Sequence, residues 1–230
     1  MTLILGVKLP KGILLVSDTR EVEENTDKVT SERKRKITMI TPAVFLAGSS
    51  AESNFYTSKI LRNCLYNAHS KYSAKEIREN ILNLYQQVNE LHKKSHKYGF
   101  PVGQILVAEY DKDLKEFNLL HQCGTVGFNN FNTFKNVKDI ELIGSSSEVR
   151  EHVKQQMSVF LNELTSDALK NPELDLIVAL EFQRIIKQLN QSSIGKNIYY
   201  TYLTLLNGCP ANCIYFVEEN NKTNKISAKD

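Results

Sequence analysis

Threonine at position 2 sets a hydroxyl directly behind an initiator methionine in the opening stretch MTLILGVKLPKGILLVSDTR. A small second residue permits aminopeptidase removal of Met1, and the freed Thr2 would then carry its α-amine beside its own hydroxyl. Such an amine titrates at about 8, so a useful fraction is an unprotonated base near neutrality. One residue would supply both nucleophile and proton acceptor, the N-terminal threonine form of covalent catalysis. That chemistry also needs a cation to lower the amine's pKa, an anion to orient the cation, and backbone N–H donors for the oxyanion. Asp18 ends the second apolar run, Lys36 begins the third, and Gly48 stands at the start of a helix, where backbone freedom and the helix dipole favour anion contact. Taken alone, the same residues equally suit an ordinary initiator dipeptide and a surface ion pair.

Other reactive residues are less promising. His92 and His96 lie four apart on a helix and could chelate a metal, but no third ligand accompanies them, and cations near a helix C-terminus have a dipole explanation. Cys209 and Cys213 bracket a C-P-A-N-C loop with no second pair to complete a site. The basic stretch KVTSERKRK (28–36) lacks interleaved aromatics and follows an acidic segment, so it reads as a solvated loop. A net charge of +3 over 230 residues gives nucleic-acid binding no support. No cofactor or metal is expected. The lack of a ~20-residue apolar run excludes a membrane helix, and Lys8, Lys11 and Asp18 break up any signal-peptide core. A cytoplasmic chain with reduced cysteines is the expectation.

The elements that must position Thr2, Asp18, Lys36 and Gly48 follow from period and turn signals. Residues 3–9 and 12–17 read as two strands across a Pro10-Lys11-Gly12 turn, and 21–35 as an exposed loop or ribbon. Strands at 36–40 and 43–47 flank Thr41-Pro42. Ser49 and Glu52 suggest a capping box for a helix running to about Tyr72, and Ser73 with Glu76 a second. In that second helix Ile77, Ile81, Leu84, Val88 and Leu91 share a face. Strands follow at 103–110, 116–122 and 140–143. Ser145 with Glu148 caps a third helix, and Asn171-Pro172 starts a fourth. Strands at 198–206 and 213–218 precede a polar tail over 219–230, expected to be disordered. Strands gathered between helix pairs predict an α+β fold, a four-layer αββα sandwich over a single domain spanning 1–218.

With these pieces in order, the chain resembles the proteasome β-subunit family, the N-terminal-nucleophile threonine peptidases. TLILGVK…KGILLVSDTR is similar to that family's opening strand pair, which starts on the nucleophile and ends on D-[ST]-R. KITMITPAVFLAGSSAES resembles its lysine strand and the glycine turn into the first helix. FPVGQILVAEYDKDLKEFNLL has the shape of its central hairpin. IGSSSEV is similar to I-G-S-G-S before its third helix, and LNQSSIGKNIYYTYL lies where the family carries D-x-x-S-G.

The resemblance implies Thr2 as nucleophile and base, Lys36 as the tuning cation, Asp18 orienting the lysine, and Gly48 donating to the oxyanion. It also implies that Ser145 and Ser193 complete the hydrogen-bond network around the amine, and that Leu46 helps floor the pocket for the substrate residue before the cut. The departures are Asn190 for aspartate, Ile194 for glycine and Leu3 for a common second threonine. The Thr2-to-Lys36 spacing is longer than usual, which leaves Lys34 as a rival lysine. The implied function is a self-compartmentalising threonine endopeptidase: a homo-oligomeric ring taking peptide or unfolded-protein substrates, with an ATP-dependent unfoldase as possible partner. The alternatives are a catalytically inactive ring or scaffold subunit and a small-molecule amidase on the same fold.

Overall fold

The computed structural model describes residues 2–23 and 28–226. Met1 and the ends of both the acidic loop segment (24–27) and the tail (227–230) lie outside the described residues. Strands β1 (Leu3–Leu9) and β2 (Gly12–Asp18) form the first hairpin. A short ribbon of β3 (Glu21–Val22) and β4 (Val29–Ser31) follows, then β5 (Ile37–Thr41) and β6 (Val44–Gly48). Helices α1 (Glu52–Leu65) and α2 (Ala74–Ser95) lead to β7 (Gln104–Asp111), β8 (Glu116–Cys123), β9 (Asn132–Phe134) and β10 (Ile140–Gly144). Helices α3 (Ser147–Glu163) and α4 (Leu174–Gln188) precede β11 (Ile198–Leu206), β12 (Cys209–Val217) and β13 (Thr223–Lys225).

The fold is mixed α+β with antiparallel sheets. One six-stranded sheet runs β10-β1-β2-β11-β12-β13, and a five-stranded sheet runs β5-β6-β7-β8-β9. Burial on both faces explains why β1 is apolar at every position but Lys8 although its period is two. Leu3, Leu5, Val7 and Leu9 pack with Met157 of α3 and Phe182 of α4, whereas Ile4 faces Phe45 and Leu106 of the other sheet. A third cluster joins Leu46, Ile105 and Leu120 of the five-stranded sheet to Leu61 of α1 and Ile81 and Tyr85 of α2. Each fully buried aliphatic side chain contributes roughly 1.5–3 kcal/mol to this packing.

Several local expectations change. The Ser73–Glu76 capping box forms, with Ser73 Oγ accepting from Glu76 N and the Glu76 carboxylate accepting from Ser73 N. The Ser49–Glu52 box does not: Ala51 is the N-cap of α1, because Ser49 is drawn inward and its N–H donates to Gln104 O at 3.0 Å. Helix α1 stops at Leu65 instead of near Tyr72, and His69 Nδ1–H takes the Tyr66 carbonyl at 2.6 Å. On α2 the buried face ends before Leu91, which is 67% exposed. Helix α3 is capped by Ser146, which accepts from Val149 N, and not by Ser145. Helix α4 begins at Leu174, two residues after Pro172. The tail is not wholly disordered: β13 pairs with β12, and Ile226 N donates to Ile214 O at 2.9 Å.

One buried acid gives the fold a pH dependence. Glu109 on β7 is wholly buried, meets Arg78 of α2 at 2.7 Å, and leaves Oε2 without a partner. Burial raises its carboxyl from the ordinary 4.5 to about 7, against the opposing pull of Arg78. Across that interval the folded chain binds more protons than the unfolded one, so stability falls as pH rises through it. Denaturant titrations at pH 5 and pH 8 should differ by roughly 2–2.5 kcal/mol from this group, and Glu109→Gln should remove most of that difference.

Candidate active site

The site is built where the two sheets end on the same side. Thr2 precedes β1, whose Leu3 pairs with Gly144 at the end of β10. Gly144 has φ +84, and a Cβ there would meet the Thr2 carbonyl oxygen at 1.9 Å, so only glycine fits beside Thr2. Ser145 follows with φ 43, a left-handed turn that carries the chain into α3.

Asp18, the last residue of β2, lies one hairpin away and is wholly buried. Its Oδ1 accepts from Leu3 N and from Lys36 Nζ, both at 2.8 Å. Its Oδ2 accepts from Arg20 N and Gly195 N, each at 3.1 Å. The carboxylate thus fixes the strand carrying Thr2, the lysine and the 190s loop relative to one another. Lys36 also donates to Arg20 O at 2.8 Å. Lys36 is only 3% exposed, and burial lowers its pKa while Asp18, and then Glu21, push it back up.

Lys34, the rival lysine, instead pairs with Glu21 at 2.5 Å in a partly exposed bridge and lies 5.7 Å from the Phe55 ring centre. Asp18 therefore pairs with Lys36 and not with Lys34. The two lysines nevertheless share one open cleft of ≈ 1060 Å³, which Thr2, Ser145 and Ser193 also line. Phe55, His92, His96 and Phe100 line it as well.

Of the expected residues, Thr2, Lys36, Ser145 and Ser193 come together on the cleft, with Asp18 directly behind. Gly48 lies at the end of β6, but its N–H donates to Lys36 O at 3.3 Å. A Cβ at Gly48 would meet Asn54 Oδ1 at 2.3 Å, so the glycine allows a close approach of α1 to the turn. Leu46 does not floor the cleft. It is not among the residues lining the cleft; it is wholly buried, packed with Leu61 of α1 and Ile81 of α2. Asn190 is exposed beyond α4 and is not among the residues lining the cleft. Ile194 is wholly buried in the core against α3 and α4.

Sequence reasoning missed Gly195 and Gln104, and read Arg20 only as the end of the D-[ST]-R motif. Gly195 approaches the Arg20 backbone so closely that a Cβ would lie 2.8 Å from Arg20 N, and no local sequence signal marks an approach to a residue so much earlier in the chain. His92 and His96 face each other with ring centres 5.4 Å apart. Among the described residues, no three His, Cys, Asp or Glu side chains converge as a metal site, and no helix is long and apolar enough to cross a membrane. No protein-family model matches the chain, and no curated protein matches it.

Proposed function

We propose that this chain is an N-terminal-nucleophile hydrolase of proteasome β type, a threonine peptidase acting through Thr2 once Met1 is removed. The observation that carries the reading is the buried Asp18 carboxylate, which binds both the backbone next to Thr2 and the Lys36 ammonium. A four-layer αββα architecture accords with three separate apolar cores, one between the sheets and one under each helix pair.

In the proposed reaction, the free Thr2 amine takes the Oγ proton as Oγ attacks the substrate carbonyl. The tetrahedral oxyanion collapses, the C–N bond breaks, and the amine returns its proton to the leaving peptide nitrogen. Water, deprotonated by the same amine, then splits the Thr2 ester and regenerates the hydroxyl. The nearby lysine cation holds down the amine's pKa, keeping more of it as base near neutrality. Oxyanion stabilisation by Gly48 requires its long bond to Lys36 O to yield or be shared. Peptide or unfolded protein is the proposed substrate, within a homo-oligomeric ring fed by an ATP-dependent unfoldase, in the cytoplasm.

A second reading, a catalytically silent ring subunit, is favoured by the engaged Gly48 N–H and the exposed, neutral Asn190. Fluorogenic peptides assayed beside a panel of small amides separate the readings. The proposal expects turnover of peptides that Thr2→Ala abolishes. Turnover of small amides alone favours an amidase, and no turnover of either favours the silent subunit.

A further inference from the structure

Two serines flank Thr2 in backbone conformations that non-glycine residues rarely adopt: Ser50 at φ 76 and Ser145 at φ 43. Both line the cleft, one on the turn between β6 and α1 and the other on the turn between β10 and α3. Strained turns persist only where their surroundings fix them. The surroundings of both converge on one residue, through its backbone at the first turn and its side chain at the second, and no catalytic role requires it.

Gln104 begins β7, the strand next to β6. Its backbone carbonyl accepts from Ser49 N at 3.0 Å and from Asn54 Nδ2 at 3.1 Å. Asn54 Nδ2 also donates to Ser49 O at 2.8 Å, while its Oδ1 accepts from the buried Tyr85 hydroxyl at 2.9 Å. These bonds hold the first turn. The Gln104 side chain then crosses to the other sheet, where Oε1 accepts from Gly144 N at 3.1 Å. From the far side, Arg150 Nη1 donates to Gly144 O at 2.7 Å and Ser145 O at 2.8 Å. One residue thus links the turn bearing Gly48 to the turn bearing Ser145, across the gap in which Thr2 sits.

We propose that Gln104 is a positioning residue that sets the spacing of these two turns about Thr2. It touches no reacting atom in the mechanism above. The inference rests on the peptidase reading for its effect on rate, but the coupling itself is a property of the fold.

Three proteins decide it: wild type, Gln104→Leu, which keeps the bulk but loses the acceptor, and Gln104→Glu, which keeps an oxygen for Gly144 N–H. Acylation of Thr2 by a β-lactone, resolved into binding and inactivation steps, should slow on the order of 10- to 100-fold in the inactivation step for Gln104→Leu. Binding should stay within about twofold of wild type, and Gln104→Glu should recover most of the loss. Amide exchange at Gly144, followed by NMR or mass spectrometry, should accelerate in Gln104→Leu and return toward wild type in Gln104→Glu. An unchanged inactivation step with unchanged exchange overturns the proposal, as does a loss that Gln104→Glu fails to restore. Should wild-type Thr2 stay unlabelled, the peptidase reading fails and exchange alone decides: acceleration restored by glutamate upholds the coupling, and no change overturns it.

Discussion

Asp18→Ala should lower the free energy of unfolding by about 3–5 kcal/mol, the cost expected when one partner of a buried ion pair is removed. The Lys36 ammonium would remain in a site that is only 3% exposed, without its counter-charge. Three backbone donors, Leu3 N, Arg20 N and Gly195 N, would lose their acceptor together. These unsatisfied donors are part of that cost, each worth roughly 1–3 kcal/mol before water entering the alanine cavity offsets much of it. Urea unfolding gives the measurement: the midpoint should drop with the slope nearly unchanged. Asp18→Asn should fall between, since the amide oxygen can serve some donors while its NH₂ opposes the rest. A loss below ~1 kcal/mol for alanine would mean that Asp18 is a surface-type pair, contrary to its burial.

Lys36→Met should have the larger effect on chemistry and the smaller one on stability. Methionine keeps the apolar stem, and Asp18 retains its three backbone donors, so the fold is disturbed less than by Asp18→Ala. The missing cation acts on the Thr2 amine instead. Without a neighbouring positive charge the amine's pKa rises, so the basic form is reached only at higher pH. Thr2 acylation near neutrality should fall on the order of 10²–10⁴-fold, the range of a positioned acid–base contribution. The acylation profile should also move to higher pH, which a purely structural defect would not produce. Lys34→Met is the control, because Lys34 serves a partly exposed bridge to Glu21. It should change acylation little and stability by less than ~1 kcal/mol. A result with the two lysines reversed would assign the tuning role to Lys34.

Much of this was readable from the chain because it depends on short-range signals. The β1–β2 hairpin, the Ser73 capping box and the apolar face of α2 all follow from periodicity and caps. Asp18 and Lys36 were legible as candidates because each sits at a strand boundary, where side chains meet across a sheet. The failures share a cause, which is competition from a partner distant in sequence. Ser49 looks like a helix cap until Gln104, 55 residues later, takes its N–H. Ser145 loses the cap to Ser146 because Arg150 and Gln104 hold the preceding turn in a left-handed conformation. The resemblance implies Leu46 at the cleft, whereas packing with Leu61 and Ile81 of the covering helices buries it completely. Strand β13 was invisible in a polar tail, since its backbone bonds to β12 have no compositional signature. Gln104 could not be found at all: a glutamine opening a strand looks solvent-facing until the opposite sheet supplies Gly144.

The central claim is that Thr2, freed of Met1, is a nucleophile tuned by Lys36. Intact-mass spectrometry of the purified chain before and after a threonine-directed β-lactone or epoxyketone tests it most directly. The account predicts loss of Met1 and a single covalent adduct that is absent in Thr2→Ala. A chain that retains Met1 and takes no adduct would contradict it, because the amine would stay locked in a peptide bond with no base beside the hydroxyl.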